Sequence, residues 1–371
     1  MSNPWIREAI AIIHADANRS SDTHLIPVLL PALPQLRLYI KDESTHITGN
    51  LKHRLARSLF LYALCNGKIQ RDTPIIEASS GNTAISEAYY ARLLGLRFIA
   101  VMDYSTSSEK IRRVQKYGGE CVFVDDPRQD RLRARELAAE IHGHFMDQFT
   151  FAERATDWRS NNIAESIFHQ LSHESYPNPH WIICGVGTGG TAATLSRYIH
   201  YNSSQTQVCV VDPEYSVYYD YYHTREECLT TQRGSGVEGI GRPQVEPSFL
   251  PEVIDCMIKV PNAASYAAIH VLEEMVGRRY GGSTGTNFYG ACMLMADMVQ
   301  KHESSALAMI GCDAGKIYHD TYYSPLWLQE QGISIKPYGE QLCNFLLDGI
   351  WNPISEVEDS SVIKNTTACV K

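Results

Sequence analysis

"TPIIEASSGNTAISEAYYARLLGLRFIAVMD", residues 73–103, contains a complete strand–helix–strand unit. An apolar run through Ile75 and Ile76 enters a small polar loop holding Gly81. Apolar residues at helical spacing follow as far as Leu94, Gly95 interrupts them, and "LRFIAVMD" starts a second apolar run. Continuous rather than alternating apolar strands are what a parallel sheet covered on both faces requires. Strand–helix–strand repetition of this kind implies a crossover connection in an open sheet.

The alternation recurs in both directions. Upstream, "LRLYIKDE" precedes a helical run, "LKHRLARSLFLYALCNG", with Gly67 as its cap. Downstream stand helix "SSEKIRRVQKYGG", strand "ECVFVDD", the run "PHWIICGVGTGG", helix "TAATLSRYIHY", strand "QVCVVDPE" and the buried-strand pattern "SALAMIGCDAG". The fold class is therefore α/β, with open, mostly parallel sheets flanked by helices. A chain of 371 residues is long for one core, so two lobes are expected. Ligands in such folds collect at the carboxyl ends of the strands. The closing run "ISEVEDSSVIKNTTACVK" is polar and aperiodic, and it reads as a loose tail.

Composition narrows the function. A net charge of -9 leaves no basic surplus to displace counterions from a phosphate backbone, so a nucleic-acid partner is not expected. No apolar run is long enough to span a bilayer, and the N-terminal segment mixes acids with bases, unlike a signal peptide. Ten cysteines stand singly, without a CxxC, and several lie inside strand-like runs. A reducing cytoplasm suits that usage, and no metal site is indicated.

Three glycine-bearing loops each follow a strand-like run. In "EASSGNTA", Ser79, Ser80, Asn82 and Thr83 offer hydroxyls, an amide and helix-terminal N–H groups, which suit an anion seat and an ordinary N-cap equally. In "GVGTGGT", residues 185–191, Gly185, Gly187 and Gly190 spell GxGxxG, and Asp212 closes the next strand. That imitates a dinucleotide fingerprint, yet "GTGGT" suits one phosphate monoester as well. In "GGSTGTN", residues 281–287, Ser283 could meet a ring nitrogen, although a helix cap is the default reading.

Lys52 separates these readings. It follows a Thr-Gly-Asn turn at the mouth of a helical run. A lone lysine is usually a solvated charge. Beside a phosphate cup and an anion seat, its amine could bond an aldehyde cofactor. Pyridoxal phosphate needs an amine, a phosphate cup, a partner for its ring nitrogen and a carboxylate seat for its substrate. A nicotinamide enzyme would leave Lys52 and "SSGNT" without a role.

With those motifs in hand, the chain resembles the fold-type II pyridoxal-phosphate enzymes of the cysteine synthase and cystathionine β-synthase family, from about residue 36 to 323. "TGNLKHR" is similar to the family's lysine segment, which implies that Lys52 is the Schiff-base lysine. "EASSGNT" is similar to its asparagine loop. The match implies that Asn82 meets the cofactor's 3′ oxygen and that Ser79, Ser80, Gly81 and Thr83 bind the substrate carboxylate. "GTGGT" (Gly187, Thr188, Gly189, Gly190, Thr191) corresponds to the phosphate loop, and "GGSTG" puts Ser283 on the pyridine nitrogen. "DQF" places Gln148 on a second carboxylate contact, and "EGIGR" places Gly239 on the loop lining the substrate entrance.

Within the family, "TGNLKHRLARSLFLYALCNG", "SEAYYARLLG" and "VEGIGRPQVEPSF" look most like the branch of L-cysteine desulfhydrases, which cleave cysteine to sulfide, pyruvate and ammonia. The alternative is a β-replacing synthase of the cysteine synthase, cystathionine β-synthase or β-cyanoalanine synthase type. Ala84 and Asp103 depart from the mainstream glycine and proline. His14, His24 and His46 stand alone, so haem is not expected, and neither is a C-terminal regulatory pair. The resemblance implies a two-lobed, tryptophan synthase β-like fold with the cofactor between lobes, and a homodimer. The smaller lobe is expected over 41–165, the larger over 1–40 and 166–350, and the tail over 351–371. The tyrosine-rich run "YSVYYDYYH", residues 215–223, reads as packing before it reads as an entrance wall.

Overall fold

A computed structural model describes residues 3–354 and the backbone of 363–364. Most of the tail expected over 351–371 lies outside the described residues. Helix α1 (Pro4–Ala17) starts where the Asn3 side chain accepts from the Trp5 N–H and Pro4 fills the first turn. Strands β1 (His24–Val28) and β2 (Leu36–Asp42) follow as an antiparallel pair. Then come α2 (Lys52–Cys65), β3 (Ile75–Ala78), α3 (Asn82–Leu94), β4 (Phe98–Asp103) and α4 (Ser108–Lys116). After these stand β5 (Glu120–Val124), α5 (Asp130–Glu140), β6 (His144–Phe145), α6 (Gln148–Ala155) and α7 (Ile163–Leu171).

The second half alternates likewise. It runs β7 (Trp181–Gly185), α8 (Gly190–Tyr201), β8 (Gln207–Pro213), α9 (Tyr218–Thr224), β9 (Leu229–Thr230) and β10 (Cys256–Val260). Helices α10 (Asn262–Val276) and α11 (Gly282–Gln300), strand β11 (Ser305–Gly311), then α12 (Pro325–Glu330) and α13 (Lys336–Asp348) complete the main body. A short β12 (Ile363–Lys364) pairs with β9. No helix among the described residues is long and apolar enough to cross a membrane.

The chain divides into two units: residues up to Asp22 with His46–Asp157, and Thr23–Thr45 with residues from Trp158 onward. In the first, four parallel strands run in the order β5-β4-β3-β6. Their successive side chains serve opposite faces. Ile75, Phe98 and Ala100 cluster with Ile13, Phe60 and Ala88, whereas Ile76, Ile99 and Val101 cluster with Ala134 and Leu137 of α5. That is why the strands read as unbroken apolar runs.

In the second unit the order is β1-β2-β11-β7-β8-β10, parallel except for β1. Leu38, Ile40, Ile183 and Met309 meet Phe288, Cys292 and Met295 of α11 in its main core. Helix α1 corrects one expectation. It belongs to the first unit rather than to a lobe beginning at residue 1, because its buried Ala9 and Ile13 pack in the cluster formed by α2 and α3. The expected boundary near 165 falls between Asp157 and Trp158.

Truncating a fully buried branched side chain leaves a cavity as well as losing transfer free energy. Ile13→Ala should therefore cost about 2–4 kcal/mol in urea unfolding, whereas Ile47→Ala, at a site 66% exposed, should stay within about 0.5 kcal/mol.

Candidate active site

The first unit holds the lysine segment. Gly49 takes a positive φ of 76°, which closes the Thr-Gly-Asn turn and sets Asn50 before α2. The Asn50 side chain accepts from the Lys52 N–H at 2.9 Å and donates to the Thr48 carbonyl at 2.9 Å. The Ser86 hydroxyl of α3 donates to the same Asn50 oxygen at 3.1 Å. Asn50 and Ser86 are buried and Lys52 is half-buried. One amide thus ties the first residue of α2 to α3, which explains the abrupt helix start.

The asparagine loop leaves the carboxyl end of β3. Its Gly81 N–H donates to Ser79 Oγ at 3.2 Å, and Gly81 is the N-cap of α3, with Asn82 first in the helix. No side chain caps α3 from that position. This favours the anion seat over the simple side-chain cap, since first-turn N–H groups have no partner within their own helix. The Thr83 hydroxyl donates to Gln148 Oε1 at 2.7 Å, so two expected carboxylate contacts from separate elements meet. Ser79, Ser80, Gly81 and Asn82 are half-buried around them.

In the second unit the phosphate loop leaves the carboxyl end of β7, whereas the 281–287 segment, expected after a strand, joins α10 to α11 and lies against the chain just beyond β11, where the Gly281 N–H donates to the Asp313 carbonyl at 3.2 Å. Gly189 is the N-cap of α8 at φ 86°. A Cβ on Gly187 would stand 2.4 Å from the Gly239 carbonyl oxygen, and one on Gly189 2.5 Å from that of Ser248. The loop carbonyls are anchored: Gly241 N–H donates to Val186 at 2.7 Å, the Tyr218 hydroxyl donates to Gly187 at 2.9 Å, and the Ser248 hydroxyl donates to Thr188. Gly190 N–H reaches Thr188 Oγ1 only at 3.5 Å, and Thr191 is half-buried in the first helical turn. Gly239 packs against the phosphate loop itself.

Ser283 is the second residue of α11, behind the N-cap Gly281, so it is not the cap of that helix. It is 4% exposed, and its hydroxyl has no hydrogen-bond partner among the described residues. Next to it, Thr284 Oγ1 accepts from the Cys312 N–H at the end of β11 at 2.9 Å. A Cβ on Gly185 would lie 3.4 Å from Asn287 Oδ1, which brings α11 beside the start of the phosphate loop.

Two sequence features resolve differently. Burial pushes the Asp212 carboxyl up to about 7, and its Oδ2 accepts from the Tyr219 N–H at 2.9 Å. It therefore terminates α9 and is not presented to a ribose. In the tyrosine run, Tyr218 is fully buried with its ring centroid 4.2 Å from that of Phe249, and it holds the phosphate loop through Gly187. Its support of the loop was not visible in the sequence, where the tyrosines looked alike.

Each unit by itself carries parts whose chemistry suits pyridoxal phosphate: in the second, a glycine cradle at a helix N-terminus and a buried hydroxyl, and in the first, uncapped N–H groups at a helix start and a lysine held at a helix mouth. The chain belongs to the pyridoxal-phosphate-dependent enzyme family, whose model matches residues 21–311. It is 53% identical over 90% of its length to L-cysteine desulfhydrase Cds1 of Mycobacterium tuberculosis, covering 92% of that protein. Cystathionine beta-synthase of Saccharomyces cerevisiae is 26% identical over 83% of this chain and 61% of its own. The crystal structure of O-ureido-L-serine synthase shares the fold, with a TM-score of 0.70 at 23% identity over 81% of this chain and 91% of that one.

Gly189→Ala would add a Cβ where the Ser248 carbonyl already stands, at a positive φ. Cofactor affinity, read by equilibrium dialysis, should fall at least ~10-fold, while Gly277→Ala at a remote helix end should leave it unchanged.

Proposed function

We propose that this chain is a pyridoxal-phosphate-dependent carbon–sulfur lyase that converts L-cysteine to hydrogen sulfide, pyruvate and ammonia by β-elimination. The observation that carries the reading is the 53% identity, over 90% of the chain, to L-cysteine desulfhydrase. The bound cofactor supplies the electron sink that lets bonds at Cα and Cβ break.

The chain's own residues then have these roles. Lys52 would hold the cofactor through its aldehyde, and its amine would serve as the general base that moves the Cα proton. Asn82 bonds the cofactor's 3′ oxygen. Gly187, Thr188, Gly189, Gly190 and Thr191 hold the phosphate at the N-terminus of α8. Ser79, Ser80, Gly81, Thr83 and Gln148 orient the substrate carboxylate, and Gly239 lines the substrate's side of the phosphate loop. Ser283 offers the ring nitrogen a neutral hydroxyl, and the first turn of α11 contains no acid. A hydroxyl there would not hold that nitrogen protonated, which would favour loss of the β-thiol over a long-lived charge at Cα.

We also infer a homodimer in a reducing cytoplasm. The family resemblance supports the first. Nine cysteines among the described residues, all free thiols, support the second.

The deciding assay supplies L-cysteine alone and follows sulfide and pyruvate together. Equal, steady release is expected. A much faster thioether product on adding a second thiol would instead identify a β-replacing synthase. Lys52→Ala should lower turnover by at least ~10³-fold and abolish borohydride fixation of the cofactor at position 52, with an unchanged thermal midpoint. Full activity in that variant would overturn the assignment.

A further inference from the structure

Two acids lie beneath the proposed carboxylate seat. Glu77 ends β3 at 1% exposure, and Glu87 sits in α3 at 0%. One Glu77 oxygen accepts from the Ala78 N–H at 2.7 Å, and the other accepts from the Gln148 N–H at 3.1 Å, at the start of α6. Neither oxygen of Glu87 receives a hydrogen bond among the described residues, and the polar group it meets is the Glu77 carboxyl. Two carboxyl groups packed together at that depth do not both ionise.

One proton must therefore lie between them. Its position follows from the donors. Burial pushes the Glu77 carboxyl up as well, to about 8, but its two N–H donors and the positive end of α6 work against that and make it the readier of the two to ionise. Glu87 keeps the proton, since burial first and the Glu77 charge second push its carboxyl well above the ordinary value. The other charges that bear on the pair act through Glu77: Asp147 opposes its ionisation and Arg131 favours it.

We propose that Glu87 is a positioning residue: as a neutral acid it donates to Glu77, keeps that carboxylate on the Gln148 N–H, and so fixes the Thr83–Gln148 pair that receives the substrate carboxylate. The inference rests on the role given above to Thr83 and Gln148. Gln148 is then held twice, by its backbone on Glu77 and by its side chain on Thr83.

The sign of the pH effect is fixed. The folded protein retains a proton that the unfolded chain releases above about 4.5. Stability then falls as pH rises from there, until the folded pair itself ionises. Glu87→Gln keeps a donor to Glu77 but removes the titration, whereas Glu87→Leu removes both.

The test follows thermal midpoints of the holoenzyme across pH, together with steady-state kinetics on L-cysteine. Glu87→Gln should show a shallower alkaline loss of stability and a KM within about twofold of the parent, and Glu87→Leu should raise KM about tenfold while kcat changes little. An unchanged stability slope in Glu87→Gln, or an unchanged KM in Glu87→Leu, overturns the proposal. If Glu87→Leu does not fold, the slope of Glu87→Gln decides alone. Failure of the parent to release sulfide would sink the lyase reading, and the stability slope would still decide whether the proton is shared.

Discussion

An α-helix begins with N–H groups that its own backbone cannot satisfy, and how each one is answered organises this protein. Side-chain oxygens serve most of the starts. Asn3, Ser107, Asn162 and Ser324 cap α1, α4, α7 and α12. Asn50 accepts at the start of α2, Glu77 at α6, Asp212 at α9 and Glu214 at α10. Among the thirteen described helices, glycine is the N-cap of only three, α3, α8 and α11. Those three follow the loops that the sequence singled out. A glycine there contributes no side-chain oxygen, so the first-turn N–H groups of these helices are not answered by a side chain at the cap.

The lysine depends on the same logic with the opposite answer. The start of its helix is served by an amide buried between two helices, which holds the lysine backbone in one place. The Asn50 oxygen takes one bond from Lys52 and one from Ser86, and the amide nitrogen closes the turn onto Thr48. Each such bond contributes about 1 kcal/mol net, but an orphaned buried partner costs more than the bond it loses. The arrangement therefore resists piecemeal loosening, and the general-base role proposed for Lys52 would depend on that fixed position.

Much of this was legible in the chain. The parallel strands gave themselves away as unbroken apolar runs, and the helices by their spacing and terminal glycines. Strand β1 was not legible, because Pro27 and His24 interrupt its pattern; its antiparallel place at the sheet edge tolerates both. Strands β6 and β9, of two residues each, are too short to carry a period. Helix α1 was assigned to the other unit, since an amphipathic face does not say which core it covers. The loops of the candidate site were found by residue type and order, whereas their supports, Tyr218, Ser248 and the Glu77–Glu87 pair, depend on contacts between distant segments.

The handling of interior charge bears on the kind of reaction. Where this fold buries an acid, it surrounds the group with donors or pairs it. Asp42 receives the Ser44 N–H and hydroxyl and the Arg278 guanidinium, Asp212 receives the Tyr219 N–H, and Glu77 receives two backbone N–H groups. The chain thus has ready means of holding a carboxylate in its core. At Ser283, a buried position at the mouth of α11, it carries a hydroxyl instead. Neutrality there is not forced by the surrounding fold, because acids are accommodated at several other strand and helix ends. Under the role proposed for Ser283, such neutrality would limit how strongly charge is drawn from Cα toward the ring and would favour departure of the β-substituent. Ser283 is thus a buried hydroxyl without a hydrogen-bond partner among the described residues, at a place where this fold could have held an acid.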